Sequence, residues 1–116
     1  MGSNLSVNKE IEEYINNHSL KLNPIQKEII SYNESLGDIK RLQISISQCH
    51  FLHLLIKTSK IKKVLEIGTF TGLSTLSMSL ALTKDGLVVD LDKNKENDKI
   101  AVKFFYIRCN YLLLKR

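Results

Sequence analysis

At 116 residues, the chain is one small domain at most, or part of one. Its 43% apolar and 25% charged side chains are those of an ordinary soluble globular protein, not of a disordered or fibrous one. The net charge of +5 is spread along the chain at positions such as Lys57, Lys63, Lys93 and Lys99, which argues against a massed nucleic-acid surface.

Residues 8–17 are polar, with Ile11, Tyr14 and Ile15 at helical spacing, and predict a short amphipathic helix lying on another element. Asn23-Pro24 is a helix start, with asparagine as cap and proline at the first helical position. That helix runs through Ile25, Ile29 and Ile30 towards Gly37. Gln43 to Ser45 reads as a linker, and Ser45 or Ser47 caps a third helix from Gln48 to about Thr58. Phe51, Leu52, Leu54, Leu55 and Ile56 form its apolar face; His50 and His53, with no third ligand in view, read as helix-surface histidines.

Lys63 to Ile67 is a short apolar strand, followed by a glycine turn and a helix from about Leu73 to Leu82. Asp85-Gly86 marks a turn, and Leu87 to Leu91 is the second strand, with Asp92 at its carboxyl end. Asn94 to Phe105 is helical, with Ile100, Ala101, Phe104 and Phe105 on one side. Strand, helix, strand, helix in this order argues for a parallel α/β layer. Tyr106 to Arg116 is apolar and basic, without a clear turn or strand boundary.

Two cysteines, Cys49 and Cys109, make neither a disulfide framework nor a C-x-x-C pair, and imply reduced thiols in a cytoplasmic setting. No apolar h-region opens the chain and no run is long enough to span a bilayer, so neither secretion nor a membrane is expected. Met1 to Ser6 fits the loose Gly2 myristoylation pattern, which we read as a chance match.

The turn Glu66-Ile-Gly68-Thr69-Phe70-Thr71-Gly72-Leu73-Ser74 carries the chemistry. Gly68 lets the backbone leave the strand sharply and a ligand come close, and Gly72 lets helix and strand approach. Thr69 and Ser74 offer hydroxyls and amides to an anionic group at a helix start. Asp92 falls where an acid accepts hydrogen bonds from both hydroxyls of a ribose. A P-loop needs Gly-Lys-Ser/Thr, but Leu73 follows Gly72. A dinucleotide enzyme wants glycine at position 70, where Phe70 stands in the way of a pyrophosphate. A nucleoside ligand without phosphate, such as S-adenosylmethionine, suits the turn better, with Glu66 near its ammonium or sulfonium charge. A plainer reading, in which Glu66 and Asp92 are only strand-end polar groups, stays open at this point.

Leu42-Gln-Ile44-Ser45, the run from Gln48 to Leu52, the turn from Lys63 to Ser74, Asp85-Gly86 and Asp92 together resemble the caffeoyl-CoA-type O-methyltransferase family, a branch of the class I methyltransferases. The likeness covers about residues 8–105. It implies an α/β fold: N-terminal helices plus the first two βα units of a Rossmann-like doubly wound sheet, left incomplete. Residues 1–41 would be the helical extension, 42–105 the first half of the cofactor-binding domain, and 106–116 an atypical tail. By resemblance Glu66, Gly68, Thr69 and Ser74 hold the methionine part of S-adenosylmethionine, Asp92 its ribose, and Ile44 closes over it. Leu73 departs from the family, where tyrosine is common.

The resemblance also implies a small-molecule hydroxyl acceptor, a divalent metal, and dimer contacts through the N-terminal helices, with no part for nucleic acid. The family's metal ligands, catalytic lysine and acceptor loops belong to the second half of the sheet, so no catalytic or metal-binding residue is mapped here. We therefore expect a truncated chain without turnover, as a frameshift or early stop in a longer gene would leave. The rival expectations are a non-catalytic cofactor-binding or partner-docking remnant and, less in keeping with Phe70, a small Rossmann oxidoreductase.

Overall fold

A computed structural model describes residues 6–105 and 112–113. Helix α1 spans Lys9–His18, α2 Pro24–Glu34, α3 Ile46–Thr58, α4 Leu73–Ser79 and α5 Lys95–Phe105. Strands β1 (Lys63–Ile67), β2 (Leu87–Leu91) and the two-residue β3 (Leu112–Leu113) form one parallel sheet in the order β1-β2-β3. A 3-10 turn over Gly37–Leu42, unforeseen in the sequence, joins α2 to the linker before α3. The tail residues 106–111 and 114–116, with Cys109, and the Gly2 pattern lie outside the described residues. The third strand falls in the tail, where no strand boundary was legible.

The helix starts follow their caps. Asn23 accepts from the Ile25 amide while Gln26 reaches back to the Asn23 amide, a reciprocal arrangement that satisfies two otherwise orphaned donors. Ser45 and Gln48 repeat it at α3, which selects Ser45 over Ser47 as the cap. Asn94 caps α5 by accepting from the Glu96 and Asn97 amides. Helix α4 ends at Ser79, short of the expected Leu82.

Two apolar clusters position the turn. One joins Ile25 and Ile29 of α2 and Cys49 of α3 to Leu73 and Leu76 of α4 and to Ala101 and Phe105 of α5. The other sets Ile56, Met78 and Ala81 against Val88 of β2, with Leu52 and Val64 packed on it. The expected apolar face of α3 is therefore wrong in part. Leu52 and Ile56 reach the core, but Phe51, Leu54 and Leu55 are exposed, because α3 turns Cys49 and Ile56 towards α4 instead. Helix α1 buries no residue, and its Tyr14 ring stacks on its own His18.

The two α3 histidines are not freely solvated surface groups. His53 places Nδ1 3.3 Å from the Ser77 carbonyl, and both ring nitrogens of His50 are shielded from solvent. Burial holds both imidazoles below their ordinary pKa. Among the described residues, no group of three or more histidine, cysteine or acidic side chains is placed to hold a metal ion.

Candidate cofactor site at the glycine turn

The loop between β1 and α4 reverses through three left-handed residues: Gly68 at φ +94°, Phe70 at +50° and Gly72 at +89°. A Cβ on Gly68 would meet nothing, so the backbone there is open to a ligand. Gly72 is closed. A Cβ there would run into the Phe105 ring, so this glycine admits α5, rather than strand β1, against the loop. The expected reason for Gly72 is corrected accordingly: the close neighbour is an aromatic ring that arrives from 33 positions downstream in the chain (105 − 72).

Phe70 pays the usual steric cost of a left-handed residue with a Cβ. Asp92 stabilises that conformation from beneath. Its Oδ2 accepts from the amides of both Thr69 and Phe70 at 3.0 Å, and its Oδ1 accepts from the Asn94 amide at 2.8 Å. The Gly68 amide bonds the Leu91 carbonyl at 2.8 Å, extending the β1–β2 ladder into the turn. With its two Oδ2 acceptor positions filled and one of two at Oδ1, Asp92 has room for one further donor. The acid assigned to a ribose from sequence is thus already engaged by three backbone amides of its own chain.

Thr69 is likewise occupied internally. Its amide goes to Asp92, its hydroxyl to Asp90 and its carbonyl accepts from the Gly72 amide. At 2% exposure it shapes the loop, with its hydroxyl engaged by Asp90. Asp90, fully buried on β2, was passed over in the sequence as one more residue of an apolar strand. Burial raises its pKa, the Thr69 hydrogen bond lowers it, and the nearby charges of Asp98 and Asp92 raise it.

Glu66 stands at the other side of the turn. Ser74 donates to one carboxylate oxygen and Thr75 to the other, so consecutive hydroxyls on the first turn of α4 fix the group in place. Burial pushes Glu66 above the ordinary carboxyl range; the two hydroxyl bonds pull it back in part, and Asp90 adds a smaller upward push. Thr75 is fully buried and was missed in the sequence. The signal was its place beside Ser74 on a helix start facing an acid, visible only once strand and helix are set side by side.

A cavity of about 260 Å³ opens above this turn. It brings together Ile44, Glu66, Gly68, Thr69 and Ser74, five of the six residues singled out from sequence, with Leu42, Gln43, Leu52 and Leu73 among its other walls. Asp92 does not line it and acts from below. Gln43 is held there by Asn33, which donates to it at 2.6 Å. Ligand sites usually enclose roughly 300–1,000 Å³. This one is smaller, and among the described residues β1 is an edge strand of the sheet.

A parallel βαβα unit with its glycine turn at the carboxyl ends of the strands, one acid near the end of β1 and another just past β2, defines a Rossmann-like nucleotide-type binding half. The family follows from comparison. An O-methyltransferase family model matches residues 16–109, and the chain belongs to that family. It is 38% identical over 98 residues to a probable caffeoyl-CoA O-methyltransferase 2 of Dictyostelium discoideum, covering 84% of this chain and 42% of that protein. A caffeoyl-CoA O-methyltransferase of Zinnia elegans is 45% identical over 58 residues, half of this chain and 24% of its own length. The chain thus spans less than half the length of the curated relatives it matches.

Among solved structures, the S-adenosylhomocysteine-bound methyltransferase PaMTH1 of Podospora anserina superposes with a TM-score of 0.86 at 18% identity, over all of this chain and 53% of its own. An O-methyltransferase from Bacillus cereus, in complex with S-adenosylhomocysteine, gives 0.76 at 21% identity over 91% of this chain and 49% of its own. These likenesses establish the fold: an incomplete Rossmann-like doubly wound methyltransferase architecture.

Proposed function

We propose that the chain is the S-adenosylmethionine-binding part of an O-methyltransferase that methylates a hydroxyl of a small molecule. The observation that carries this is the convergence of Ile44, Glu66, Gly68 and Ser74 on one cavity above a turn locked by Asp92. The residues fit the group. Gly68 presents bare backbone, Glu66 a fixed carboxylate for an ammonium, and Leu42, Ile44 and Leu73 an apolar rim. Relatives named for caffeoyl-CoA O-methylation support a phenolic acceptor.

When bound, the cofactor supplies an electrophilic methyl on a positive sulfur. The chain's part would be to bind and orient it: Glu66 would oppose the positive charge, Gly68 would permit backbone approach, and Asp92, which keeps Phe70 in its left-handed turn, would offer its remaining acceptor position to the ribose. Residues that would deprotonate the acceptor are not assigned to this chain, and we expect no turnover from it alone. We keep the division into a helical extension (1–41), a cofactor half-domain (42–105) and a tail (106–116) as part of the same proposal.

Calorimetric titration with S-adenosylmethionine and S-adenosylhomocysteine tests the reading. Saturable one-site binding that weakens at least tenfold in Glu66→Gln is expected. Binding that is absent, or untouched by that change, would sink it.

A further inference from the structure

Gln43 and Ile44 link the 3-10 turn to α3, and the link is held at both ends. The Gln43 amide donates to the Lys40 carbonyl at 2.9 Å, and the reciprocal Ser45–Gln48 cap fixes the start of α3. Asn33 of α2, 1% exposed, donates through Nδ2 to Gln43 Oε1 at 2.6 Å. This bond sets the orientation of the Gln43 carboxamide: its oxygen is tied to α2, and its Nε2 keeps both hydrogens to offer elsewhere. Asn33 makes the contact while its own Oδ1 is buried without a hydrogen-bond partner. Such a group costs stability, and orienting Gln43 over the cavity accounts for keeping it.

Gln43 lines the cavity above the glycine turn, and the other polar side chains of that wall are engaged within the chain. The Thr69 hydroxyl goes to Asp90 and the Ser74 hydroxyl to Glu66, which accepts in both of its bonds. The amides of Gly68, Thr69, Phe70 and Gly72 are taken as well, by Leu91, Asp92 and Thr69. Among the described residues, Gln43 Nε2 is the side-chain donor of this cavity that has no partner in the protein.

We propose that Gln43, oriented by Asn33, is the donor that meets the carboxylate at the amino-acid end of the cofactor, while Glu66 takes the ammonium. The assignment rests on the S-adenosylmethionine reading and deepens it. In an α-amino acid both charges sit on one carbon, so a carboxylate accompanies any ammonium that Glu66 holds. Beside Glu66 that carboxylate is repelled unless a donor meets it. A free amide N–H on the same wall supplies that donor, and the cavity thereby selects a zwitterionic end over a purely cationic one.

The test is calorimetric titration with S-adenosylhomocysteine and with its decarboxylated analogue, which keeps the nucleoside, the sulfur and the amine. The parent chain should bind the first more tightly. Gln43→Glu leaves an oxygen for Asn33 and replaces the donor by a negative charge, so its circular dichroism should match the parent. It should bind S-adenosylhomocysteine about tenfold more weakly and the decarboxylated analogue at least as tightly, since a second carboxylate attracts the amine. Gln43→Met, which adds no charge, should weaken the first ligand and leave the second unchanged. Equal losses for both ligands would put the role of Gln43 in the fold or at the nucleoside and overturn the assignment. Undiminished S-adenosylhomocysteine binding in the variants, or a parent that binds the two ligands equally, would also overturn it and leave the cofactor reading standing. A parent that binds neither ligand defeats the cofactor reading, and the assignment falls with it.

Discussion

Glu66 and Asp92 sit at the carboxyl ends of neighbouring strands, yet the fold uses them differently. Asp92 is bound by backbone: three amides from two segments converge on it, and one of them belongs to a left-handed phenylalanine. Glu66 is bound by side chains alone, Ser74 and Thr75, and it lines the cavity that Asp92 only supports. An acid that holds amides builds a loop. An acid that holds only hydroxyls is expected to be removable without unfolding the loop. The pair separates what shapes the site from what fills it.

The harshest way to break that separation is Gly72→Ala, which disturbs both sides together. A left-handed alanine costs about 1–2 kcal/mol, and forcing the Phe105 ring aside adds about 1–3 kcal/mol more. Denaturant unfolding should show the sum, and Phe105→Leu in the same chain should recover part of the second cost. If the double variant is no more stable than the single one, the ring is not what Gly72 accommodates.

Asp92→Ala comes next. Its amides include that of buried Thr69, and each buried donor left unsatisfied costs about 1–3 kcal/mol. The midpoint should drop and S-adenosylmethionine binding should vanish with it, whereas Glu66→Gln should lose affinity without losing stability. Equal behaviour of the two variants would erase the contrast between them.

Glu66→Gln then sharpens the comparison through pH. Burial raises the folded pKa of Glu66 above its ordinary value of 4.5. A raised carboxyl contributes stability below that unfolded value and loses it as pH rises through the folded one. The glutamine variant should therefore match the parent in thermal midpoint below pH 4.5 and overtake it as the pH is raised. A gap that runs the other way would mean the hydroxyl bonds outweigh burial. Thr75→Val should widen the same pH dependence, because one of the two bonds opposing burial is gone.

The smallest effect belongs outside the site. Lys62 and Asp85 pair at 2.7 Å with both side chains exposed, and the Lys62 hydrogen bond, with those of the Thr83 hydroxyl and the backbone behind it, pulls Asp85 down to about 2. Solvent screens such contacts, so Lys62→Met should leave the thermal midpoint unchanged within error at physiological salt. A clear drop would show that the β1–β2 end is held more tightly than its exposure suggests.

The sequence by itself determined the local elements and the turn. Asn23-Pro24 and Ser45 write their helix starts in side-chain chemistry, and Glu66-Ile-Gly68 with Gly72 and Asp92 writes a strand, a reversal and an acid at fixed spacing. Those signals are read over a few residues, and neighbouring residues suffice to satisfy them. Only the tertiary structure decided which side of α3 is core, that Thr75 secures Glu66, that Thr69 and most of Asp92 are spent inside the loop, and that Gly72 is small for Phe105. Each depends on which groups from distant segments meet. An apolar stripe on a helix shows that burial is wanted, and which stripe succeeds is settled by the partner that arrives.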